Sequence, residues 1–211
     1  LKLAGEFFAR ALTPALRFEG DFDGGPFAVP KQALVAALHT IKFAAAALSL
    51  ALVGGVLLGL LGSHAASRDR RWRLVVGPVR LVTALMRSVH ELIWAVLLLA
   101  ALGTDPRVAV AAIAIPYAGT LAKVFSEMLD EAPRGAFAAL EGAGATAGQR
   151  FLFGVLPQAQ PDMTAYAFYR FECALRSSAV LGFFGFPTLG YHLAASFENL
   201  HYGEVWTYLY V

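Results

Sequence analysis

From Phe43 to Ser63 the chain runs for 21 residues without a charge. A bilayer core about 30 Å thick is crossed by a helix of about 20 apolar residues, so this stretch predicts a membrane span. Lipid offers the backbone no water to bond, and a single segment satisfies its own N–H and C=O groups there only as a helix. One such run constrains everything after it, because the next apolar stretches must cross back. Composition agrees: 58% of the 211 residues are hydrophobic and 15% are charged, against about a quarter charged in soluble domains. The net charge of +2 advertises no nucleic-acid partner. Cys173 is the one cysteine, so no disulfide framework is implied. No His, Cys and carboxylate group has metal-ligand spacing.

The remaining chain reads as an all-α integral membrane protein, one domain over residues 1–211 with about five spans. Gly54, Gly55, Gly59 and Gly62 in the first span predict close helix packing. Ser63 to Arg80 holds Arg68, Arg70, Arg71, Arg73 and Arg80 against a single acid, Asp69. It reads as an arginine-rich loop that the positive-inside rule places in the cytoplasm. A second span, Leu81 to Gly103, is interrupted by Arg87, His90 and Glu91. Gly103-Thr-Asp-Pro106 then reverses the chain. The third span, Val108 to Met128, contains Pro116, which predicts a kink; Lys123 and Glu127, four apart, predict a pair near its end.

A fourth span runs from Met163 to Phe184, followed by a short helix at Leu189 to Phe197 and a last hydrophobic stretch from Val205. A short apolar piece before it, Phe151 to Leu156, is expected to end at Pro157. Parity returns residues 130–150 to the cytoplasmic side and leaves residues 1–35 outside, which implies one more helix upstream. His90 and Cys173 read as packed residues, and Trp94, Trp206 and the tyrosines from 202 to 210 as interfacial or packing aromatics.

The segment from Ala138 to Pro157 is the most informative. Pro133 suits a first helical turn, and Phe137 and Leu140, three apart, share a helix face. Yet Gly142, Gly144 and Gly148 each cost a helix about 1 kcal/mol relative to alanine, and so short a helix does not stand alone in water. A cytoplasmic partner packing closely against the glycines answers both points.

The same segment resembles the coupling loop of ATP-binding-cassette importer permeases, whose pattern is Glu-Ala-Ala, three residues, Gly, nine residues, Ile, one residue, Leu-Pro. Ala139, Gly144, Leu156 and Pro157 fall in register, while Ala138 stands where the glutamate is expected and Gly154 where the isoleucine is. Further runs resemble phosphonate-type permeases: Arg87-Ser-Val-His-Glu91, Leu121-Ala-Lys-Val-Phe-Ser-Glu127, Leu156-Pro-Gln-Ala-Gln-Pro161, Tyr169-Arg-Phe-Glu172 and Arg176-Ser-Ser-Ala-Val-Leu-Gly182. Phe183-Phe-Gly-Phe-Pro187 is bulkier than the glycine-rich turn usual after Gly182.

The resemblance covers roughly residues 30–211. It implies the transmembrane domain of a type I importer in the bacterial inner membrane. A homodimer of this chain would form the path, with a cytoplasmic ATPase dimer carrying ATP and magnesium. An external solute-binding protein would deliver phosphonate, phosphate or phosphite. No cofactor and no ATP hydrolysis are expected in this chain, and no Gly-x-x-x-x-Gly-Lys-Ser/Thr phosphate loop is present.

Charges within spans are costly, by about 2.5–3.5 kcal/mol on insertion scales, and are functional candidates for that reason. They are Arg87, Glu91, Arg170, Glu172 and Arg176. In one reading, arginines line the path and attract an oxyanion, whose geometry suits the guanidinium fork. In the other they pair internally, Glu172 with Arg176 and Arg170 with Glu91. Two alternatives to oxyanion import stay open: a permease of the same fold for another small solute, such as methionine or an organic cation, and a secondary transporter without an ATPase. The latter predicts inverted repeats, and none is visible. A membrane interaction protein with no transport role leaves the span charges unexplained.

Overall fold

The computed structural model describes residues 2–20, 25–65 and 72–211. Arg68, Asp69, Arg70 and Arg71 of the arginine-rich segment lie outside them. The described residues form helices and no strands: α1 (Lys2–Arg10), α2 (Ala28–Gly62), α3 (Arg73–Ser88), α4 (Glu91–Leu102), α5 (Pro106–Glu131), α6 (Gly135–Gly142), α7 (Ala147–Arg150), a π-helical turn (Phe151–Val155), α8 (Leu156–Val180), a 3₁₀ turn (Leu181–Phe184), α9 (Leu189–Glu198) and α10 (Tyr202–Tyr210). Among them α2 and α5 are each long and apolar enough to cross a membrane. Two bent pairs also qualify, α3 with α4 at 87° and the run Ala147–Phe184 with α9 at 51°, for up to four spans.

Contacts divide the chain into two compact units, Ala45–Ala174 and Leu1–Ala44 with Leu175–Val211. In the first, α5 is the central helix. Ile113, Leu121, Phe125 and Leu129 are each at most 2% exposed. Glycine sets how closely its neighbours approach. A methyl group at Gly55 of α2 would lie 2.6 Å from Leu121 Cβ, and one at Gly59 would lie 3.1 Å from Phe125 Cβ. From the α5 side, one at Gly119 would meet Met86 Cβ at 2.8 Å and the Thr83 carbonyl oxygen at 2.9 Å. Small residues at such crossings let backbones touch where lipid supplies no hydrophobic drive.

In the second unit, Val29 and Ala33 pack with Tyr208 and with Phe18, Leu189 and Leu193. Buried Glu204 accepts from the Glu19 amide at 2.7 Å and from Ser196 Oγ at 2.8 Å. Gln32 accepts from Tyr208 Oη at 2.9 Å. Gly182 and Gly190 are without space for a side chain, because the end of α8 and the start of α9 lie backbone to backbone there.

Several expectations change. α2 begins at Ala28, well before the charge-free run, and takes in Lys31 and Lys42, both exposed. Its buried stripe explains this: Val29, Ala33, Ala36, Thr40, Ala44, Ala47 and Ala51 repeat every three or four residues, one continuous helix face. Arg73 and Arg80 belong to α3 rather than to a loop.

The second span is broken in two at Val89–His90. His90 has extended backbone (φ −63°, ψ 145°) and caps α4, its ring accepting from the Leu92 amide at 3.3 Å. It is therefore an exposed cap and not a packed residue; Glu91 behind it sits in the first turn of α4, where a negative charge suits the helix dipole. α5 runs unbroken through buried Pro116. Pro157 does not end its apolar piece. The π turn hands directly over to α8, so the helical run continues through Pro157, whose missing N–H falls beside the π turn, where the regular hydrogen-bond ladder is already shifted.

Candidate functional site

The coupling segment folds as two short helices, α6 and α7, and neither holds a buried residue. Their turn chemistry is nonetheless closely specified. Gly144 has φ +79°, and the last carbonyls of α6 are satisfied around it: the Ala145 amide donates to Leu140 O at 3.0 Å and the Gly144 amide to Glu141 O at 3.1 Å. This is a Schellman termination, which places its left-handed residue where a side chain is strained. Thr146 and Gln149 then open α7 with a reciprocal capping box: the Thr146 amide donates to Gln149 Oε1 at 2.9 Å.

Phe137 and Leu140 share a face, as their spacing predicts, and that face lies on the π turn. A methyl group at Gly154 would meet Phe137 N and Cα at 3.2 Å and Leu140 Cδ1 at 3.4 Å. The glycine that stands in place of isoleucine is thus what lets α6 rest on the turn leading into α8. The Phe137 ring lies between two guanidinium groups, Arg150 at 5.2 Å and Arg134 at 5.7 Å from its centroid. Arg150 also pairs with Glu141. Methyl groups at Gly142, Gly144 and Gly148 would meet nothing within 4 Å, so these glycines leave an open surface. Of the coupling residues named from the pattern, Ala139 and Gly144 lie on this surface, and Leu156 and exposed Pro157 lie in the first turn of α8.

Asp130, at the end of α5, ties the segment to the helices above it. Its carboxylate accepts from Ser63 Oγ at 2.7 Å, from the Ala65 amide at 2.9 Å and from Arg80 Nη2 at 2.9 Å. Arg80 Nε reaches Gly62 O at 2.9 Å, and Arg134 Nη2 donates to Asp130 O at 3.0 Å. One residue thereby joins the end of α2, the middle of α3, the end of α5 and the N-cap of α6. Sequence reasoning passed over it, since the 50 residues between Arg80 and Asp130 carry no period that would pair them.

Arg87, exposed near the end of α3, lines a cavity of about 200 Å³ with Arg80, Thr83, Lys123, Ser126 and Glu127. Lys123 and Glu127 form their expected pair, Nζ to carboxylate oxygen 2.6 Å. Glu91 lies 3.6 Å from His90 Nε2. The Arg170 guanidinium lies over the Tyr117 ring, 4.1 Å from its centroid, and its Nε is buried with no hydrogen-bond partner among the described residues. Glu172 and Arg176 are exposed on α8. Cys173 is partly buried. Trp94 donates to Met86 O at 3.2 Å. Trp206 donates to Phe7 O at 2.7 Å and stacks in an aromatic group with Phe7, Phe8 and Tyr210.

Comparison with known proteins places this geometry. The chain is 31% identical over 168 residues to the phosphite transport system permease protein PtxC of Stutzerimonas stutzeri, covering 80% of this chain and 60% of that protein. It is 29% identical over 167 residues to the phosphate-import permease protein PhnE of Mycolicibacterium smegmatis, covering 79% of this chain and 31% of that one. The chain thus spans less than two thirds of the length of either relative. In fold it resembles the MetNI methionine ABC transporter in inward-facing conformations, with a TM-score of 0.71 at 20% identity over 85% of this chain and 87% of that one. Residues 51–211 match the family described as binding-protein-dependent transport system inner membrane component, and the chain belongs to that family.

Proposed function

We propose that this chain is the membrane-spanning subunit of an ATP-driven importer for a small phosphorus oxyanion: phosphonate, phosphate or phosphite. The observation that carries the proposal is the coupling segment, which is closely capped at both of its turns, rests only Phe137 and Leu140 on the π turn and holds no buried residue. A surface so specified and so empty suits a partner, and a cytoplasmic ATPase dimer is the partner this reading requires. The oxyanion class is supported by the phosphite and phosphate permeases it resembles. A second copy of this chain completes the path, and an external solute-binding protein delivers the anion. ATP and magnesium stay with the ATPase.

Coupling then follows from the contacts of α6. Closure of the ATPase dimer on ATP pushes Ala139 and Gly144. The push passes through Phe137 and Leu140 to Gly154 and on through Leu156 and Pro157 into α8. It passes also through Arg134 and Asp130 to α2, α3 and α5. Arg87, Glu91, Arg170, Glu172 and Arg176 are the charges assigned to the path.

The test uses the chain co-reconstituted in liposomes with its ATPase and binding protein. ATP hydrolysis is measured with phosphonate, phosphate, phosphite or methionine, and repeated with Gly144→Trp. Stimulation by one oxyanion, abolished by the variant, is the expected result. Stimulation by methionine alone moves the substrate class, and failure to bind any ATPase removes the importer reading.

A further inference from the structure

The cavity between α3 and α5 combines three cations with two carboxylates that face it or hold its lining. Two of the cations are committed. Arg80 bonds Asp130 at 2.9 Å, and Lys123 bonds both oxygens of Glu127 at 2.6 Å. Arg87 is the third, and among the described residues no side-chain hydrogen bond and no carboxylate partner holds its guanidinium. The hydroxyls in the lining do not offset it: Thr83 Oγ1 donates to Arg80 O at 3.0 Å and Ser126 Oγ to Lys123 O at 2.7 Å. Among the described residues the cavity is left with one uncompensated positive charge on a guanidinium.

We propose that this cavity receives a small tetrahedral oxyanion, with Arg87 as its principal ligand and Arg80 and Lys123 as secondary donors. A guanidinium offers two parallel N–H donors to two oxygens of such a group. The volume of about 200 Å³ holds a phosphate-sized anion with several waters, since a water occupies about 30 Å³ in the liquid. Glu127 in the same lining keeps binding weak, because its carboxylate repels the anion and holds Lys123. Weak retention is what a site on a transport route requires, since an anion held tightly would not leave.

The placement of Arg80 adds a consequence. The same guanidinium lines the cavity and bonds Asp130, to which the N-cap of α6 is also bound. An anion that draws Arg80 inward therefore weakens its bond to Asp130. By reciprocity of linkage, a coupling segment that pulls on Asp130 changes anion affinity by the same factor.

The anion's identity rests on the importer reading, whereas the site itself is judged by direct binding. The full transporter with its ATPase, in nanodiscs and without binding protein, is titrated with radiolabelled phosphate and with phosphite. Saturable binding is expected. Arg87→Gln weakens it by at least about tenfold, the loss of one bidentate charged contact. Arg87→Lys restores most of it, and Glu127→Gln tightens it. The tightening separates an electrostatic site from a structural one, since a merely structural role for Glu127 gives no gain in affinity. Arg107→Gln, at the far end of α5, leaves it unchanged.

The absence of saturable binding to the wild-type complex overturns the site. So does equal affinity in wild type and Arg87→Gln. If Arg87→Gln does not fold, unchanged affinity in Glu127→Gln overturns it. Binding that follows these expectations, while no oxyanion stimulates ATP hydrolysis through the binding protein, leaves the site standing and removes the oxyanion-import reading.

Discussion

The glycines of the packed helices and those of the coupling segment put one residue to opposite uses. At Gly55 and Gly119 an added methyl group would lie 2.6 Å and 2.8 Å from the nearest neighbouring atom. At Gly142 and Gly148 it would meet nothing within 4 Å. In the membrane, the missing side chain brings two backbones together, and dispersion rather than water drives the contact. In the coupling segment it leaves an exposed surface that no described residue fills. Gly144 has a third use, a left-handed turn that ends α6. A glycine-rich sequence thus means tight packing or an open surface, depending on whether a second helix arrives.

Substitutions at each kind of glycine test that contrast. The largest effect is expected at Gly119→Leu. Overpacking typically costs 1–3 kcal/mol, and here the obstacles are the Thr83 carbonyl and the Arg87 amide, backbone atoms that do not move aside. The variant should purify poorly and unfold at a clearly lower temperature in detergent. Wild-type melting would mean that α3 and α5 do not depend on close approach.

An intermediate effect is expected at Asp130→Asn, which weakens the Arg80 side of the junction between the two regions and leaves the Arg134 bond to the Asp130 carbonyl in place. A hydrogen bond to a charged group is worth about 1.5–3 kcal/mol, and the Arg80 side is 45% exposed, so screening reduces the loss to about 1 kcal/mol. Thermal unfolding should shift modestly, while the ratio of substrate-stimulated to basal ATP hydrolysis should fall much more. A proportional fall in both rates would make Asp130 a purely structural residue.

The smallest effect on stability belongs to Gly142→Ala. Alanine suits a helix better than glycine by about 0.5–1 kcal/mol, and the position is open, so amide exchange in α6 should slow. Affinity for the proposed ATPase partner should nonetheless drop, because the methyl group intrudes on the proposed docking face. Unchanged affinity would move that face elsewhere.

Much of the helical framework was legible because its signals are local. The charge-free run announced the body of α2, the turn at Gly103–Pro106 announced the reversal before α5, and the spacing of Lys123 and Glu127 announced their pair; that Asp105 caps α5 and Pro106 opens it was read only from the structure. The Gly144 register was visible too, although the reason for it, a Schellman turn, required backbone angles. The start of α2 was missed because hydropathy counts residues and ignores faces. Val29, Ala33, Ala36 and Thr40 form a buried stripe within a stretch that also holds Lys31 and Lys42. The break at His90 was misread as an interruption of one span, since histidine is an uncommon cap and its ring accepts a hydrogen bond only in one tautomer.

By itself the chain decided that it is helical and lives in a membrane, since apolar runs in lipid have no other way to satisfy their backbone. It also decided where α6 ends and α7 begins, because capping residues act within three or four positions. Only the tertiary structure decided that Asp130 gathers four helices, that Gly154 lets α6 rest on the π turn, and that Arg87 faces a cavity with Lys123. Apart from the local Arg134–Asp130 bond, those contacts join residues 14 to 67 positions apart. No local propensity encodes them, and they appear only when packing brings helix faces into register.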